Sequence, residues 1–279
     1  MTQREQDYAH PRECEQMATY KVYFFGQFRV IHNSRPFGEL DWRRNKAKML
    51  LKWFLLNPGK LYSADQLIDL FWNDIEPDAA MRNFHVTMHY LRHMLEPNLN
   101  PRQESSFLHR SNGSFYWFEL HPTWWTDTMD IDGLYTAAKE FDQLHEYRKA
   151  LFRYRKIAHY CSLGFLPDNI DEGAFLSYRR QYECIYYLAL VRLMHICLEN
   201  NELEDVLEYA YQALRLDRYC EIAVKNIVKV YHKQNDNLKA IGKLEEFQST
   251  LKEELGIEPS KEMRDIRNAI AEGESILLL

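Results

Sequence analysis

PDAAMRNFHVTMHYLRHML, residues 77–95, decides the fold of this 279-residue chain. Four apolar residues within it are spaced four, three and four positions apart, which places them on one face of an α-helix. We therefore predict a helix over Ala79–Leu95, with Asp78 as its N-cap and Pro97 beyond its end. The apolar face consists of Phe84, Met88, Leu91 and Leu95.

The opposite face of this predicted helix has no acidic side chain between Arg82 and Leu95. A solvated face normally mixes both signs of charge, whereas basic, aromatic and neutral side chains suit the phosphate-lined major groove of DNA. The candidate DNA-contacting residues on this face are Arg82, His85, Val86, His89, Arg92 and His93, with Arg92 assigned to phosphate.

The elements before this helix fit the same interpretation. Residues 20–31 are rich in aromatic and β-branched side chains and predict one or two short strands. A first helix is expected over Asn45–Asn57, and a second over Ala64–Trp72 with Ser63 as its N-cap.

A β-hairpin is expected after the helix, over residues 107–120, because Asn112-Gly113 favours a type I′ turn. Arg110 precedes this turn, and an Arg at a hairpin tip can enter the minor groove. Taken singly, Arg82, Arg92 and Arg110 could equally be solvated charges, but their shared placement favours DNA. Strands, three helices and a hairpin are the layout of a winged helix-turn-helix.

Three further side chains are candidates for phosphate contact: Arg43, Arg44 and Trp72. Arg43 and Arg44 precede the first helix, where an ordinary solvated face is an equal alternative. Trp72 could pack in the core or donate its indole N–H to a phosphate.

His85, His89 and His93 are spaced four residues apart and share one helix face. Two histidines at this spacing can bind Zn²⁺, but no carboxylate or Cys stands nearby to complete a site. We therefore expect no metal, although a His-rich metal-sensing regulator is a third hypothesis. On a DNA-facing surface the imidazoles could donate to phosphates or bases and make binding sensitive to pH.

The second half of the chain contains an internal repeat. Three similar helical segments have a pair of apolar residues at the same position, which we call the slot: Ala150-Leu151, Val206-Leu207 and Ala240-Ile241. The last two slots are 34 residues apart. That separation is the tetratricopeptide (TPR) period. Stacked helical pairs of this kind leave a groove for a peptide, a partner domain or a second copy.

Each slot follows a polar turn that would join two helices, at His145-Glu146, Asn200-Asn201 and Asn235-Asp236. About 22 additional residues separate the first two slots, and the segment 163–173, which contains Pro and Gly, is the expected loop. Asp127, Asp130 and Asp132 stand near the junction of the two halves, where a linker and helix-cap role is expected.

Charge also differs between the halves. Residues 1–125 carry 15 Lys+Arg and 14 Asp+Glu, whereas residues 126–279 carry 20 and 27. Any DNA contact is therefore expected in the first half. We expect a disordered lead-in over 1–19, an α+β winged helix-turn-helix over 20–125 and an all-α TPR-like domain over 126–279, so that the chain is mostly α.

The sequence lacks the glycine-rich phosphate-binding, nucleophile-elbow and zinc-protease motifs. We therefore expect no enzyme activity, no catalytic residue and no cofactor. The five cysteines show no CxxC spacing, which is typical of reduced thiols in the cytoplasm. The most apolar run, residues 186–198, is too short and too charged to span a bilayer, so no membrane association is expected.

Two stretches carry a family resemblance. LFWNDIEPDAAMRNFHVTMHYLRHMLEP, residues 70–97, resembles the second and third helices of the SARP-type activators. EELGIEPSKEMRDI, residues 253–266, resembles the end of their activator domain. These regulators pair an OmpR-type winged helix with a bacterial transcriptional activator domain of TPR-like helices.

The resemblance implies that the third helix enters the major groove, with the wing in the adjacent minor groove, and it adds Tyr90 to the base or groove contacts. Tyr90 stands where many relatives have Arg, and Tyr cannot make the bidentate contact of Arg with guanine. This departure changes the expected base preference.

The function implied is a cytoplasmic, nucleoid-associated activator that binds direct repeats in promoter DNA and contacts RNA polymerase or another protein through its helical repeats. It would bind double-stranded DNA as a monomer or a dimer. The alternative is a protein-interaction module whose winged helix is a docking surface and does not bind DNA.

Overall fold

The computed structural model describes residues 15, 17–38, 42, 44–100, 103–111, 114–169 and 173–272. Arg43, the Asn112-Gly113 turn and most of the predicted lead-in lie outside the described residues. The chain divides into two compact units. The first contains the described residues up to Asp130 together with Leu166–Tyr178, and the second contains Ile131–Phe165 and the described residues from Arg179 onward.

A four-stranded sheet opens the first unit. Its strands are β1 (Tyr20–Tyr23), β2 (Arg29–His32), β3 (Arg35–Pro36) and β7 (Trp124–Thr126), in the order β3-β2-β1-β7. Val22 of β1 lies opposite Val30 of the antiparallel β2 and opposite Thr126 of the parallel β7. These three side chains are wholly buried. The strand prediction for residues 20–31 is confirmed as a two-stranded hairpin.

Three helices and a second sheet complete the first unit. The helices are α1 (Asn45–Leu56), α2 (Ala64–Phe71) and α3 (Pro77–Leu95). The sheet has the order β4-β6-β5, from β4 (Tyr62–Ser63), β6 (Phe115–Phe118) and β5 (Leu108–Arg110). The antiparallel pair β5 and β6 is the predicted hairpin, called the wing below.

The starts of α2 and α3 are capped differently. Ser63 caps α2 as predicted, because its hydroxyl accepts from the Gln66 amide (3.1 Å) while the Gln66 side chain accepts from the Ser63 amide (2.9 Å). The prediction of Asp78 as N-cap of α3 is wrong, since α3 begins at Pro77 with Glu76 as its N-cap. Proline suits the first helical position because its fixed φ is helical and no N–H is needed there.

The apolar face predicted for α3 is confirmed: Phe84, Met88, Leu91 and Leu95 are buried. They pack α3 against α1 and α2. Burying side chains of this size stabilises the unit by roughly 2 kcal/mol each. The position of α3 is therefore fixed by its inner face, which leaves the outer face available for function.

Asp127, the first residue of α4 (Asp127–Gln143), is wholly buried. Its carboxylate accepts hydrogen bonds from the amides of Phe24 (2.8 and 2.9 Å) and Phe25 (2.9 Å), in the connection between β1 and β2. Burial raises the pKa of Asp127 to about 7, and the backbone N–H donors oppose that rise. This anchoring role differs from the linker and cap role expected from sequence.

The second unit is mainly helical over its described residues. The helices after α4 are α5 (Tyr147–Cys161), α6 (Leu176–Glu199), α7 (Leu203–Leu216), α8 (Glu221–Lys233), α9 (Asn237–Leu255) and α10 (Lys261–Glu272). The unit contains α4 from Ile131 onward, α6 from Arg179 onward and the other helices after α4. Buried side chains from each of α8, α9 and α10 come together in one hydrophobic core. Of the helices in the described part, none is long and apolar enough to cross a membrane.

The predicted repeat is confirmed in the turns between paired helices. His145, Asn201 and Asn235 all adopt left-handed conformations, with φ of 58°, 60° and 58°. In each turn the following amide donates to the carbonyl five residues earlier: Glu146 to Phe141 (2.8 Å), Glu202 to Cys197 (2.8 Å) and Asp236 to Tyr231 (2.9 Å). The equivalent slot residues, Ala150, Val206 and Ala240, are all wholly buried. The second unit is therefore a stack of TPR-like helical pairs.

The segment between α5 and α6 contains two short 3₁₀ turns, Pro167–Asn169 and Gly173–Phe175. The sequence predicted a loop here but not its packing. Leu166 donates its amide to the Phe24 carbonyl (2.9 Å), and the Tyr178 hydroxyl lies 2.7 Å from Asn57 Oδ1. Phe175 is wholly buried, and these contacts place the segment within the first unit.

Asp127→Asn is expected to lower the free energy of unfolding by roughly 3 kcal/mol. The amide keeps only one accepting oxygen and turns an NH₂ group toward the backbone donors of Phe24 and Phe25. Urea unfolding followed by circular dichroism measures the loss. Asp69→Asn, on the exposed side of α2, is the matched control and should leave the midpoint unchanged. Equal midpoints for the two variants would contradict the anchoring role.

Candidate nucleic-acid interface

The outward face of α3 consists of Arg82, Val86, His89 and His93, which repeat the four, three, four spacing of the buried residues on the other side of the helix. Arg82 and His89 are exposed, Val86 is 47% exposed and His93 is half-buried. A turn of 100° per residue places this face directly opposite the buried one. Burial of one side therefore directs these four side chains outward.

Two flanks border the outward face. His85 is exposed on one flank, with its ring centroid 5.5 Å from that of Phe84. On the other flank lie the half-buried Tyr90 and the exposed Asn83. The sequence-based prediction did not include Asn83 among the DNA-contacting residues. Its place beside Arg82 on a basic helix could have indicated it, because Asn can form a bidentate contact with adenine.

The histidines of α3 contact one another along the helix. The rings of His89 and His93 are 4.2 Å apart, and His93 Nδ1 lies 3.1 Å from the His89 carbonyl oxygen. Each imidazole keeps at least one ring nitrogen for another partner. The pair adds polar groups to the surface beside Arg82.

Metal-ligand spacing occurs elsewhere among the described residues, at Cys197, Glu202 and Asp205. Arg155 already forms ion pairs with both carboxylates. Burial raises the pKa of the Cys197 thiol to about 12, which keeps it protonated and a poor metal ligand. This cluster is a structural ion-pair network of the second unit.

Phe84 joins three elements of the first unit. It is wholly buried, and its ring meets Trp72 (6.0 Å) and Tyr116 of the wing (5.1 Å) edge to face. Trp72 is only 3% exposed, so the structure supports the packing alternative for its ring. This aromatic contact sets the wing beside α3.

Two arginines surround the wing differently. The exposed Arg110 guanidinium lies 5.5 Å from the ring centroid of Tyr116. Arg92 donates from Nη2 to the Leu108 carbonyl oxygen (3.2 Å), which braces α3 against β5. Burial raises the pKa of Tyr116, and the two guanidiniums oppose that rise. The Arg110 guanidinium is therefore available at the surface of the wing, whereas Arg92 is hydrogen-bonded to the wing through Nη2.

Arg44 is exposed immediately before α1, where its backbone occupies the N-cap position and its side chain makes no capping hydrogen bond. The structure thus brings Arg82, Val86, His89 and His93 together on α3 and places Arg110 at the wing. Trp72 and Arg92 support these elements from inside.

Two family models match the chain. Residues 43–116 match the model described as "Transcriptional regulatory protein, C terminal", and residues 163–271 match the "Bacterial transcriptional activator domain". Both are transcription-regulator domains rather than enzyme families. A winged helix-turn-helix followed by TPR-like helices, with these two matches, defines a transcription regulator. The two matched domains are the pair that the SARP-type regulators combine, and they support a regulator of that type.

One solved structure with a TM-score above 0.5 agrees with the fold. Mycobacterium tuberculosis EmbR in complex with a low affinity phosphopeptide is 17% identical, with a TM-score of 0.74 over 92% of this chain and 66% of that chain. This chain therefore spans slightly less than two thirds of that protein's length. The C-terminal TPR-containing domain of a Plasmodium falciparum FK506-binding protein is 12% identical, with a TM-score of 0.38 over 51% of this chain and 87% of that chain. No curated protein matches the chain.

Arg92→Ala is expected to lower the free energy of unfolding by about 1–2 kcal/mol, because the Leu108 carbonyl loses its charged donor. Arg82→Ala, the same substitution at an exposed position of the same helix, should leave stability unchanged. Chemical denaturation of the two variants beside the parent protein measures both. An unchanged midpoint for Arg92→Ala would show that this side chain does not brace the wing.

Proposed function

We propose that this regulator binds promoter DNA sequence-specifically through α3 and the wing and activates transcription. The observation that carries the proposal is the outward face of α3, which is basic, polar and free of acid between Arg82 and Leu95. Its opposite side is fixed in the core, and the exposed Arg110 stands at the wing beside it. A preorganised surface of this kind is suited to a groove lined by phosphates.

Base recognition in this proposal comes from the exposed part of α3 in the major groove. Arg82 has the fork of donors that matches O6 and N7 of guanine, and Asn83 can pair with adenine. Val86, an exposed β-branched side chain, suits the methyl group of thymine. His85, His89, Tyr90 and His93 lie along the same groove, and Arg110 enters the neighbouring minor groove.

Phosphate contacts in this proposal come from the start of α1. Arg44 is exposed there, and Arg43 precedes it in the chain. Such contacts orient the protein on the duplex without reading its sequence. Trp72 and Arg92 act indirectly by holding α3 and the wing in place.

The helical unit supplies the protein contact of an activator. We assign residues 20–125 to DNA binding and 126–279 to activation, with RNA polymerase or another protein as the partner. Binding to direct repeats, as a monomer or a dimer, follows from the resemblance, and the protein works in the cytoplasm, at the nucleoid. The function requires neither catalysis nor a cofactor.

Binding sites selected from a random duplex library provide the DNA for the direct test. Arg82→Ala should cost about 1–3 kcal/mol of binding free energy and relax one base position of the selected site. Arg44→Ala should weaken all sequences alike and reduce the slope of log affinity against log salt by about 1. Fluorescence anisotropy at several salt concentrations, with a repeated selection for each variant, separates the two effects.

The control is Lys252→Glu, an exposed charge change on α9, which should leave DNA affinity unchanged. Absence of any enriched site, an affinity that does not vary with salt, or an Arg82→Ala/Arg110→Ala double variant that binds like the parent would each reject the proposal. A winged helix that instead retains a protein under those conditions would favour the docking-module function.

A further inference from the structure

Helix α5 has a composition unlike the rest of its half of the chain. Its 15 residues, YRKALFRYRKIAHYC, include five Lys or Arg and no acidic residue. Residues 126–279 as a whole carry 20 Lys+Arg against 27 Asp+Glu. A helix whose charged residues are all basic, within an acidic unit, is unusual for a simple solvated surface, which mixes both signs.

The basic residues surround an exposed aromatic ring. Phe152 is 55% exposed at the centre of the outward side, with Arg148 four residues before it and Lys156 four residues after it. Lys156 Nζ lies 4.9 Å from the Phe152 ring centroid. We define the α5 face as Arg148, Lys149, Phe152, Lys156 and His159.

The inward side of α5 explains why this face points outward. Ala150, Tyr154, Ile157 and Ala158 are buried in the helical stack. Arg155, at the border, is neutralised by Glu202 and Asp205 at the start of the next helical pair. The α5 face is therefore the part of the helix that the stack does not use.

Most of the positive charge on the α5 face is uncompensated. Lys149 pairs with Glu146 (2.5 Å); the Lys149 side chain is 59% exposed and that of Glu146 is partly buried. Among the described residues no ion pair is formed by Arg148 or Lys156. The Lys149 side chain itself remains accessible beside its partner. The surface thus offers several cations to an external anion.

The exposed ring distinguishes between the two classes of polyanion. Duplex DNA offers phosphates, but its backbone would leave Phe152 without an apolar contact. An acidic protein segment offers carboxylates for the cations together with an apolar side chain for the ring. Aromatic anchors surrounded by complementary charge are typical of protein interfaces.

We propose that the α5 face is a docking site for an acidic protein segment that places an apolar side chain on Phe152 between carboxylates paired with Arg148 and Lys156. This inference rests on the proposed function, since it assigns the surface through which the helical unit contacts its partner.

Peptide display on the intact chain tests the site with a probe of defined chemistry. A random 12-residue library is selected on the parent protein, and the enriched peptides are synthesised and titrated by fluorescence anisotropy. The peptides should be rich in Asp and Glu around an apolar residue. Arg148→Glu/Lys156→Glu should lower their affinity at least about tenfold, because attractive pairs become repulsive.

Matched variants keep the test specific. Lys252→Glu/Lys261→Glu makes the same charge change on exposed positions of α9 and α10 and should leave peptide affinity unchanged. Phe152→Ala should weaken the peptides several-fold, whereas Leu238→Ala, at an 86% exposed position, should not. Thermal unfolding of each variant checks that the helical stack is intact.

The DNA-binding titration of the same variants separates this proposal from the proposed function. Arg148→Glu/Lys156→Glu should bind the selected duplex as tightly as the parent does, while Arg82→Ala/Arg110→Ala should lose DNA and keep the peptides. Peptides without acidic enrichment, or equal peptide loss in both charge-reversal variants, would overturn the docking site. A loss of DNA affinity in Arg148→Glu/Lys156→Glu would reassign the α5 face to nucleic acid.

Discussion

The ring of Phe84 is the contact on which the first unit depends. It meets Trp72 at the end of α2 and Tyr116 in the wing, both edge to face, and is itself wholly buried. A helix that must bury Phe84 in this position can turn only its opposite side outward. Because Arg110 lies over Tyr116, the same aromatic contact also sets the wing charge beside α3. The proposed DNA surface is thus a consequence of core packing.

In the second unit, too, burial of one side of each helix determines which side faces outward, and here the helices form a repeat. Left-handed turns at His145, Asn201 and Asn235 bring paired helices together so that equivalent small or branched residues are buried. The helix face that the stack leaves unused on α5 is basic, just as the face that the core leaves unused on α3 is. The outward face of α3 exposes polar side chains that could contact bases in a groove, whereas the α5 face exposes the ring of Phe152. That chemical difference separates a nucleic-acid partner from a protein partner.

The sequence pattern predicted those structural features that depend on residues close together in the chain. The buried face of α3, the cap at Ser63 and the three repeat turns all follow from residues close together in sequence. Contacts across long separations were not predictable: burial of Asp127 depends on amides about one hundred residues earlier. Likewise, the hydrogen bond from Arg92 to the Leu108 carbonyl forms only when the wing packs against α3. Asn83 could have been included, because its spacing places it beside Arg82.

Photocrosslinking tests directly whether α3 enters the DNA groove. One protein carries a photoreactive amino acid at position 86, on the outward face of α3, and a second protein carries it at position 222, at the exposed start of α8. Each protein is irradiated with duplex DNA bearing the selected site. If α3 enters the groove, DNA crosslinks to position 86 and not to position 222. A protein that binds the duplex yet crosslinks from position 222, or fails to crosslink from position 86, would contradict entry of α3 into the groove.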